Sequence, residues 1–229
     1  HVNPKVLECP APGTTEGNHG ITKSCISIKK FDEKIPIRKR TNLSFKPRSK
    51  KRITISDNII MELIDRFLKY VSFDTQSQEN SDTFPSTMKQ HLLADYLVEE
   101  LKSLGISNAY KDNYGYVYGK IEGKKPLSIG LIAHMDTALE VTGANVLPNI
   151  IKNYDGKDIT LKNGLQIKVE DFPFMKDFVG NTLVTTSGDT LLGADDKAGI
   201  AIITSLIDKI MNSTEEYPTL YICFYIYMF

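Results

Sequence analysis

The segment from Leu127 to Thr137 reads LSIGLIAHMDT, an apolar run that ends in polar residues. The run LSIGLIA is continuous rather than alternating, which is typical of a strand buried on both faces of a sheet. His134 and Asp136 follow it, and sites in open α/β sheets lie at the carboxyl ends of the strands. The segment therefore predicts a central strand with a candidate site at its end.

Amphipathic helices and further strands surround this segment along the chain. Helices are predicted from Ser56 or Asp57 as N-cap to about Val71, from about Thr87 to Leu104 with Gly105 as C-cap, and from near Ala194 to Ile210. In the second helix the residues predicted to face inward are Leu92, Leu93, Tyr96, Leu97, Leu101 and Leu104. Strands are predicted as a hairpin around Asn113, near 158–169 and 182–186, and at Leu220–Phe224. This alternation predicts an α/β domain over residues 56–229, with a sheet flanked by helices.

The first 55 residues differ in character from the rest of the chain. They hold 13 Lys and Arg against 4 Asp and Glu, whereas the whole chain has 28 of each. Pro, Gly, Ser and Lys recur there without a helical or strand period, so we expect a basic, disordered tail. The run RKRTNLSFKPRSKKR at 38–52 could attract nucleic acid, but the segment has few aromatic residues to stack on bases and the remainder is acidic. No nucleic-acid partner is expected.

The cysteines and the apolar segments restrict the location of the protein. Cys9, Cys25 and Cys223 form no CxxC pair and no even framework, which favours a reducing compartment. No apolar run reaches the length that spans a bilayer, so no membrane partner is expected. The start of the chain has no signal-peptide pattern, and we expect a cytoplasmic protein.

Two clusters carry residues suited to metal chemistry. His134 is a good zinc ligand type, and Asp136 can fix the tautomer of its imidazole, although a lone His-x-Asp is more often a satisfied polar pair. Asp195 and Asp196 lie in a glycine-bounded turn, LLGADDKAG, at the start of the third predicted helix. Such a turn can be explained by helix capping through Asp195 alone, but a carboxylate there can also bridge two divalent ions. Both clusters lie where a strand meets a loop, so they could meet across a sheet.

Several segments resemble the peptidase T family of di-zinc aminopeptidases. They are YVSFDTQSQENSDTFPST, NAYKDNYGYVYGKIEG, HMDTA, NVLPNIIKNYDGKDITL and LVTTSGDTLLGADDKAGIAII. The resemblance covers roughly residues 58–224, and residues 1–55 have no part in it. It implies a zinc-exopeptidase-like mixed sheet flanked by helices.

The resemblance also implies roles for individual residues. His134 is then a ligand of one zinc ion, Asp195 bridges two zinc ions, and Asp136 is the active-site carboxylate that orients His134. The Asp195–Asp196 peptide is implied to be cis. Lys197 and Gly199 belong to the same motif, and we expect them to have positioning roles.

The chemistry implied by the resemblance is zinc-dependent release of the amino-terminal residue from tripeptides in the cytoplasm. Two zinc ions about 3.5–4 Å apart lower the pKa of a bridging water and polarise the scissile carbonyl. A glutamate accepts the proton of that water and passes it to the leaving amine. A homodimer of the full-length enzyme is compatible with the resemblance.

The pattern of the family is not met at the end of the chain. Where the family carries paired glutamates after the last strand, this sequence reads YIYMF, with Met228 and Phe229 in their places. Neither side chain can accept a proton or act as a hard zinc ligand. Only His134 and Asp195 remain of the implied ligands, so we expect the chain as written to be a truncated fragment that binds zinc weakly and does not hydrolyse peptides. We also expect Tyr225–Phe229 to be foreign to the enzyme.

One other interpretation remains open. A non-enzymatic remnant or interaction fragment is the main alternative to an aminopeptidase. A dinucleotide-binding enzyme is disfavoured, because no GxGxxG follows a first strand.

Overall fold

The computed structural model describes the backbone of residues 26–28 and 55–227 and the side chains of residues 63–227. Within these residues the α-helices are α1 (Ile55–Val71), α2 (Gln90–Ser103) and α3 (Ala194–Met211), with a 3₁₀ helix at Pro173–Phe178. The strands are β1 (Ile26–Ile28), β2 (Tyr110–Lys111), β3 (Val117–Ile121), β4 (Lys125–His134), β5 (Asn149–Ile151), β6 (Ile159–Thr160), β7 (Gln166–Ile167), β8 (Thr182–Thr185) and β9 (Pro218–Tyr225). The predicted α/β class is confirmed.

The main sheet is mixed and has the strand order β2-β3-β9-β4. Strand β4 runs parallel to β9, whereas β3 is antiparallel to β9 and β2 is antiparallel to β3. The last register pair places His134 opposite Tyr225, so the candidate site lies where two parallel strands end. Smaller sheets are formed by β1-β8-β5 and by β6-β7, and all of their strands except β1 lie in the segment between β4 and α3.

The core lies between one face of the main sheet and the three helices. Phe224 and Ile222 of β9 point into it beside Val117 of β3, and Leu97 and Ile200 pack there from α2 and α3. Each of these five side chains is at most 2% exposed. At about 25 cal/mol per Å² of buried apolar surface, this shared cluster supplies the main stabilisation of the domain.

Polar side chains tie the helices together at the edge of this core. Arg66 of α1 donates to Glu100 of α2 at 3.0 Å and to Asp208 of α3 at 2.6 Å. Glu100 also accepts a 2.7 Å hydrogen bond from Tyr70. The network joins all three helices through groups that are mostly removed from water.

The expectation that LSIGLIA is buried on both faces is wrong. Strand β4 is the last strand of its sheet in the part of the chain that the structure describes, and Leu127 and Ile132 are 60% and 65% exposed. The helices cover only the face that carries Ala133 and Phe224. The opposite face, which we call the open face, carries Tyr118, Ile132, Tyr221 and Cys223 and bears a cavity of about 500 Å³.

The helices match the predictions, with corrections at their ends. Helix α1 begins at Ile55, so Ser56 and Asp57 lie inside its first turn rather than before it. Helix α2 begins at Gln90, three residues after the predicted start. Leu104 occupies the C-cap position that was predicted for Gly105, and Gly105 follows it with a left-handed φ of +97°. Leu92 is 61% exposed, so its predicted inward orientation is wrong.

Both ends of the chain depart in part from the expectations. Ile26–Ile28, inside the segment predicted to be a disordered tail, forms β1 and pairs with β8. The rest of that tail prediction lies outside the described residues. Tyr225 is the last residue of β9, and Ile226 is 1% exposed in the main core, so the start of the run predicted to be foreign packs with the domain. Met228 and Phe229 lie outside the described residues.

Candidate metal centre at the end of the main sheet

The imidazole of His134 and the carboxylate of Asp195 meet at the carboxyl end of β4. His134 Nε2 lies 3.0 Å from Asp195 Oδ1, although the two residues are 61 positions apart in the chain. One zinc ion bonds imidazole nitrogen and carboxylate oxygen at about 2.0–2.2 Å, so a single ion can contact both atoms. These donors fit a shared metal ion, and Asp195, at 73% exposed, also faces solvent.

The tautomer of His134 is set by Asp136. The Nδ1–H of His134 donates to the backbone oxygen of Asp136 at 3.0 Å, and the Oδ1 atom of Asp136 lies 3.5 Å from the same nitrogen. Because a carbonyl oxygen can only accept, Nδ1 carries the proton. Nε2 is then the nitrogen that turns toward Asp195, and it is the nitrogen available to a metal.

The charge state of the pair follows from this geometry. Burial lowers the pKa of His134, but hydrogen bonds and charges from Asp136 and Asp195 raise it by more than burial lowers it, and the resulting pKa is about 10. The hydrogen bond from His134 holds the pKa of Asp195 below its usual range, against the opposing effect of burial. The two carboxylates therefore favour the protonated form of the imidazole that lies between them.

Asp196, not Asp195, caps the third helix. The backbone N–H of Gly199 donates to Asp196 Oδ1 at 3.1 Å, three residues further along the chain. Asp195 and Asp196 have non-helical backbone angles, and the peptide between them is cis, as the resemblance implies. Burial raises the pKa of Asp196. Because Asp196 caps the helix, the carboxylate of Asp195 can face His134 instead.

Asp136 is held from several sides. It is 1% exposed, and its Oδ1 accepts the backbone N–H of Tyr227 at 2.7 Å, while Ser77 donates to its Oδ2 at 3.4 Å. Lys197 is also 1% exposed; its Nζ donates to the backbone oxygen of Phe73 at 2.7 Å, and burial lowers the pKa of Lys197 to about 7. Lys197 therefore fastens the start of α3 to the loop after α1.

Sequence reasoning did not identify Ser77, Tyr227 or the adjacent Tyr225, whose ring lies 6.0 Å from that of His134. Tyr227 acts through its backbone N–H, which leaves no side-chain pattern. Among residues 63–227, no group of three or more His, Cys, Asp and Glu side chains is placed to hold one ion. The cavity on the open face is lined by neither His134 nor Asp195, so we place the candidate site by its donor atoms.

Comparison with known proteins gives strong sequence relatives. Peptidase T of Halothermothrix orenii is 48% identical over 162 residues, which is 69% of this chain and 40% of the relative. Peptidase T of Bacillus subtilis is 48% identical over 159 residues, covering 67% of this chain and 39% of the relative. The crystal structure of aminopeptidase PepT from Bacillus cereus matches with a TM-score of 0.48 and 18% identity, over 72% of this chain and 35% of the other. No protein-family model matches the chain.

These relatives are peptidases, a class of hydrolases. Over the matched segment, the chain belongs to the peptidase T family. It spans about two fifths of the length of the curated relatives that it matches. The partial coverage agrees with the resemblance to the amino-terminal part of those proteins.

Proposed function

We propose that this chain supplies part of the catalytic centre of a zinc-dependent tripeptide aminopeptidase. The observation that carries the proposal is the 3.0 Å approach of His134 Nε2 to Asp195 Oδ1 at the carboxyl end of the sheet. The relationship to peptidase T supports it independently, because those relatives share nearly half of the residues in the matched segment.

In this proposal each residue of the site has one task. His134 and Asp195 would hold metal, and the backbone oxygen of Asp136 keeps the proton of His134 on Nδ1, so that Nε2 would be the nitrogen available to a metal. The zinc ions would lower the pKa of a bound water and polarise the scissile carbonyl of the peptide. Zinc and the preference for tripeptides are both parts of the proposal.

The polypeptide of residues 1–229 is proposed to be inactive by itself. Two protein donors converge in the part that the structure describes, whereas a stable zinc site uses three or four. We expect weak zinc binding and no tripeptide hydrolysis with added zinc or cobalt. Turnover above that of a His134→Ala control would contradict this expectation.

A chimera tests the aminopeptidase proposal directly. Residues 58–224 would replace the matching segment of Bacillus subtilis peptidase T, and release of the amino-terminal residue from a tripeptide would be followed. We expect zinc-dependent activity that His134→Ala and Asp195→Ala abolish. A folded chimera with no activity, or one that keeps activity in both variants, would refute the proposed roles.

The proposed location is the cytoplasm. It is supported by the three cysteines, which form no disulfide framework in the sequence, and Cys223 is free in the structure. None of the helices that the structure describes is long and apolar enough to cross a membrane.

A further inference from the structure

A buried amide lies behind the candidate metal centre. Gln90 is the first residue of α2 and is 0% exposed. Its Nε2 donates to the backbone oxygen of Thr75 at 3.2 Å and to Ser77 Oγ at 3.2 Å. A side-chain amide buried in an apolar core is normally hydrogen-bonded, because the cost of its desolvation has to be offset.

The orientation of this amide is determined by its neighbours. The carbonyl oxygen of Thr75 can only accept, so the NH₂ group of Gln90 has to point toward it. The Oε1 atom of Gln90 is buried and has no hydrogen-bond partner among the described residues. Oε1 of Gln90 therefore stays without a donor, while both N–H groups of the amide donate to the loop after α1.

The donors form a one-way chain to the active-site carboxylate. Because Gln90 donates to Ser77 Oγ, the hydroxyl proton of Ser77 is left for another acceptor, and Asp136 Oδ2 lies 3.4 Å away. An ionised carboxylate only accepts, so in the direction Gln90 to Ser77 to Asp136 every donor of the chain meets an acceptor. Asp136 in turn contacts Nδ1 of His134 through its backbone and side-chain oxygens.

We propose that Gln90 is a positioning residue that acts on Asp136, and so on the metal ligand His134, through the hydroxyl of Ser77. The consequence for metal binding rests on the proposed function. The consequence for the position of Asp136 does not, because it concerns hydrogen bonds of the metal-free chain.

A double-mutant cycle on the full chain tests this proposal. The variants are Gln90→Met, which keeps the side-chain length without its polar atoms, Ser77→Ala, and the two combined. Gln76→Met is the matched control. Gln76 precedes Ser77 in the loop after α1. Its side-chain amide donates to the backbone oxygens of Leu139 and Val141, at 2.9 and 3.2 Å, and not to Asp136.

The first measurement needs no metal. The backbone amide of Tyr227 donates to Asp136 Oδ1 at 2.7 Å, so its ¹H–¹⁵N resonance reports the position of that carboxylate. We expect Gln90→Met and Ser77→Ala to shift this resonance in the same direction, and the double variant to shift it no further than the larger single effect. Gln76→Met should leave it in place. An unmoved resonance in Gln90→Met, or shifts that add, would overturn the proposal.

The second measurement is the zinc dissociation constant, obtained by competition with a chelating dye. Groups that hydrogen-bond directly to a metal-ligating histidine affect metal affinity by about 10–100-fold. Gln90 and Ser77 act on His134 only through Asp136, and the bond from Ser77 to Asp136 is long, at 3.4 Å, so their effect should be smaller. We expect about threefold to tenfold weaker binding in each single variant and in the double variant, and a change below about twofold in Gln76→Met. A loss in Gln76→Met equal to that in Gln90→Met would show a general loosening of the loop and overturn the relay.

The two measurements separate failure of the inference from failure of the proposed function. Zinc binding that is absent, or that His134→Ala does not weaken, would refute the metal centre, while the Tyr227 resonance still decides the role of Gln90. Ser77→Thr retains a hydroxyl, so it should keep the resonance close to its original position. A Ser77→Thr variant that behaves like Ser77→Ala would contradict the relay.

Discussion

Replacing Asp195 by Asn should lower the pKa of His134 measurably. In the intact site, burial lowers that pKa from its usual 6.5, and hydrogen bonds and charges from Asp136 and Asp195 raise it to about 10. Asp136 makes the larger of the two upward contributions and remains in the variant. An opposite charge within hydrogen-bond reach is worth about 1–3 in pKa. Because Asp195 is 73% exposed, we expect its removal to lower the pKa of His134 by about 1–2.

The sign of the stability effect follows from the direction of this shift. The folded-state pKa of His134 lies above the value of 6.5 expected for the unfolded chain, so protonation favours the folded state. This contribution is fully present below about pH 6.5 and is lost as the pH rises toward 10. In Asp195→Asn the pKa of His134 is lower, so the stabilisation from protonated His134 is completely lost at a lower pH. The difference in stability between the two proteins should therefore stay constant from about pH 5 to about pH 7, fall between about pH 8 and 10, and vanish above about pH 10.

A pH titration of the His134 Cε1–H resonance between pH 5 and 11 measures this pKa, with assignment by its disappearance in His134→Gln. The exposed carboxylate of Asp189 provides a matched control, and Asp189→Asn should leave the pKa unchanged. A pKa near 6.5 in the unmodified chain would refute the reasoning. Equal pKa values in the unmodified chain and in Asp195→Asn would refute it as well.

Three further substitutions have definite expectations. Gly199→Ala would normally favour a helix by about 1 kcal/mol, but the new Cβ would collide with the Asp196 carboxylate, so we expect a net loss of about 1–2 kcal/mol in urea unfolding. Arg66→Met leaves Glu100, 13% exposed, without its cation and should cost about 2–3 kcal/mol in the same assay. Ile132 lies on the open face, so Ile132→Lys should change the free energy of unfolding by less than about 0.5 kcal/mol. The added charge should reduce aggregation, measured by light scattering, and the binding of a dye that reports exposed apolar surface. A stabilised Gly199→Ala, an unchanged Arg66→Met or a strongly destabilised Ile132→Lys would contradict the corresponding packing.

The fold could be predicted from the sequence where local periodicity is strong. The spacing of Leu93, Leu97 and Leu101 identifies α2, and all three side chains are fully buried. The run after Leu127 identifies β4, but not its surroundings. A continuous apolar run looks the same whether or not a second layer covers the sheet, so the exposure of Ile132 is decided by neighbours in space.

The candidate site could be predicted only in part, for a related reason. His134 and Asp195 each lie at a strand or helix end with a recognisable local motif, and the structure brings them together. Which of the two adjacent aspartates caps the helix and which faces His134 was not predictable, because it depends on which carboxylate meets the N–H of Gly199. Gln90 shows no signal in sequence, since a glutamine at a helix start usually faces water.

His134 and Asp195 are proposed to bind the same metal ion. Anomalous diffraction at the zinc edge, on crystals of the chain soaked with zinc, locates the ion directly. The account predicts an anomalous peak within about 2.0–2.2 Å of both His134 Nε2 and Asp195 Oδ1. A zinc ion bound elsewhere, or a peak that touches neither atom at saturating zinc, would contradict it.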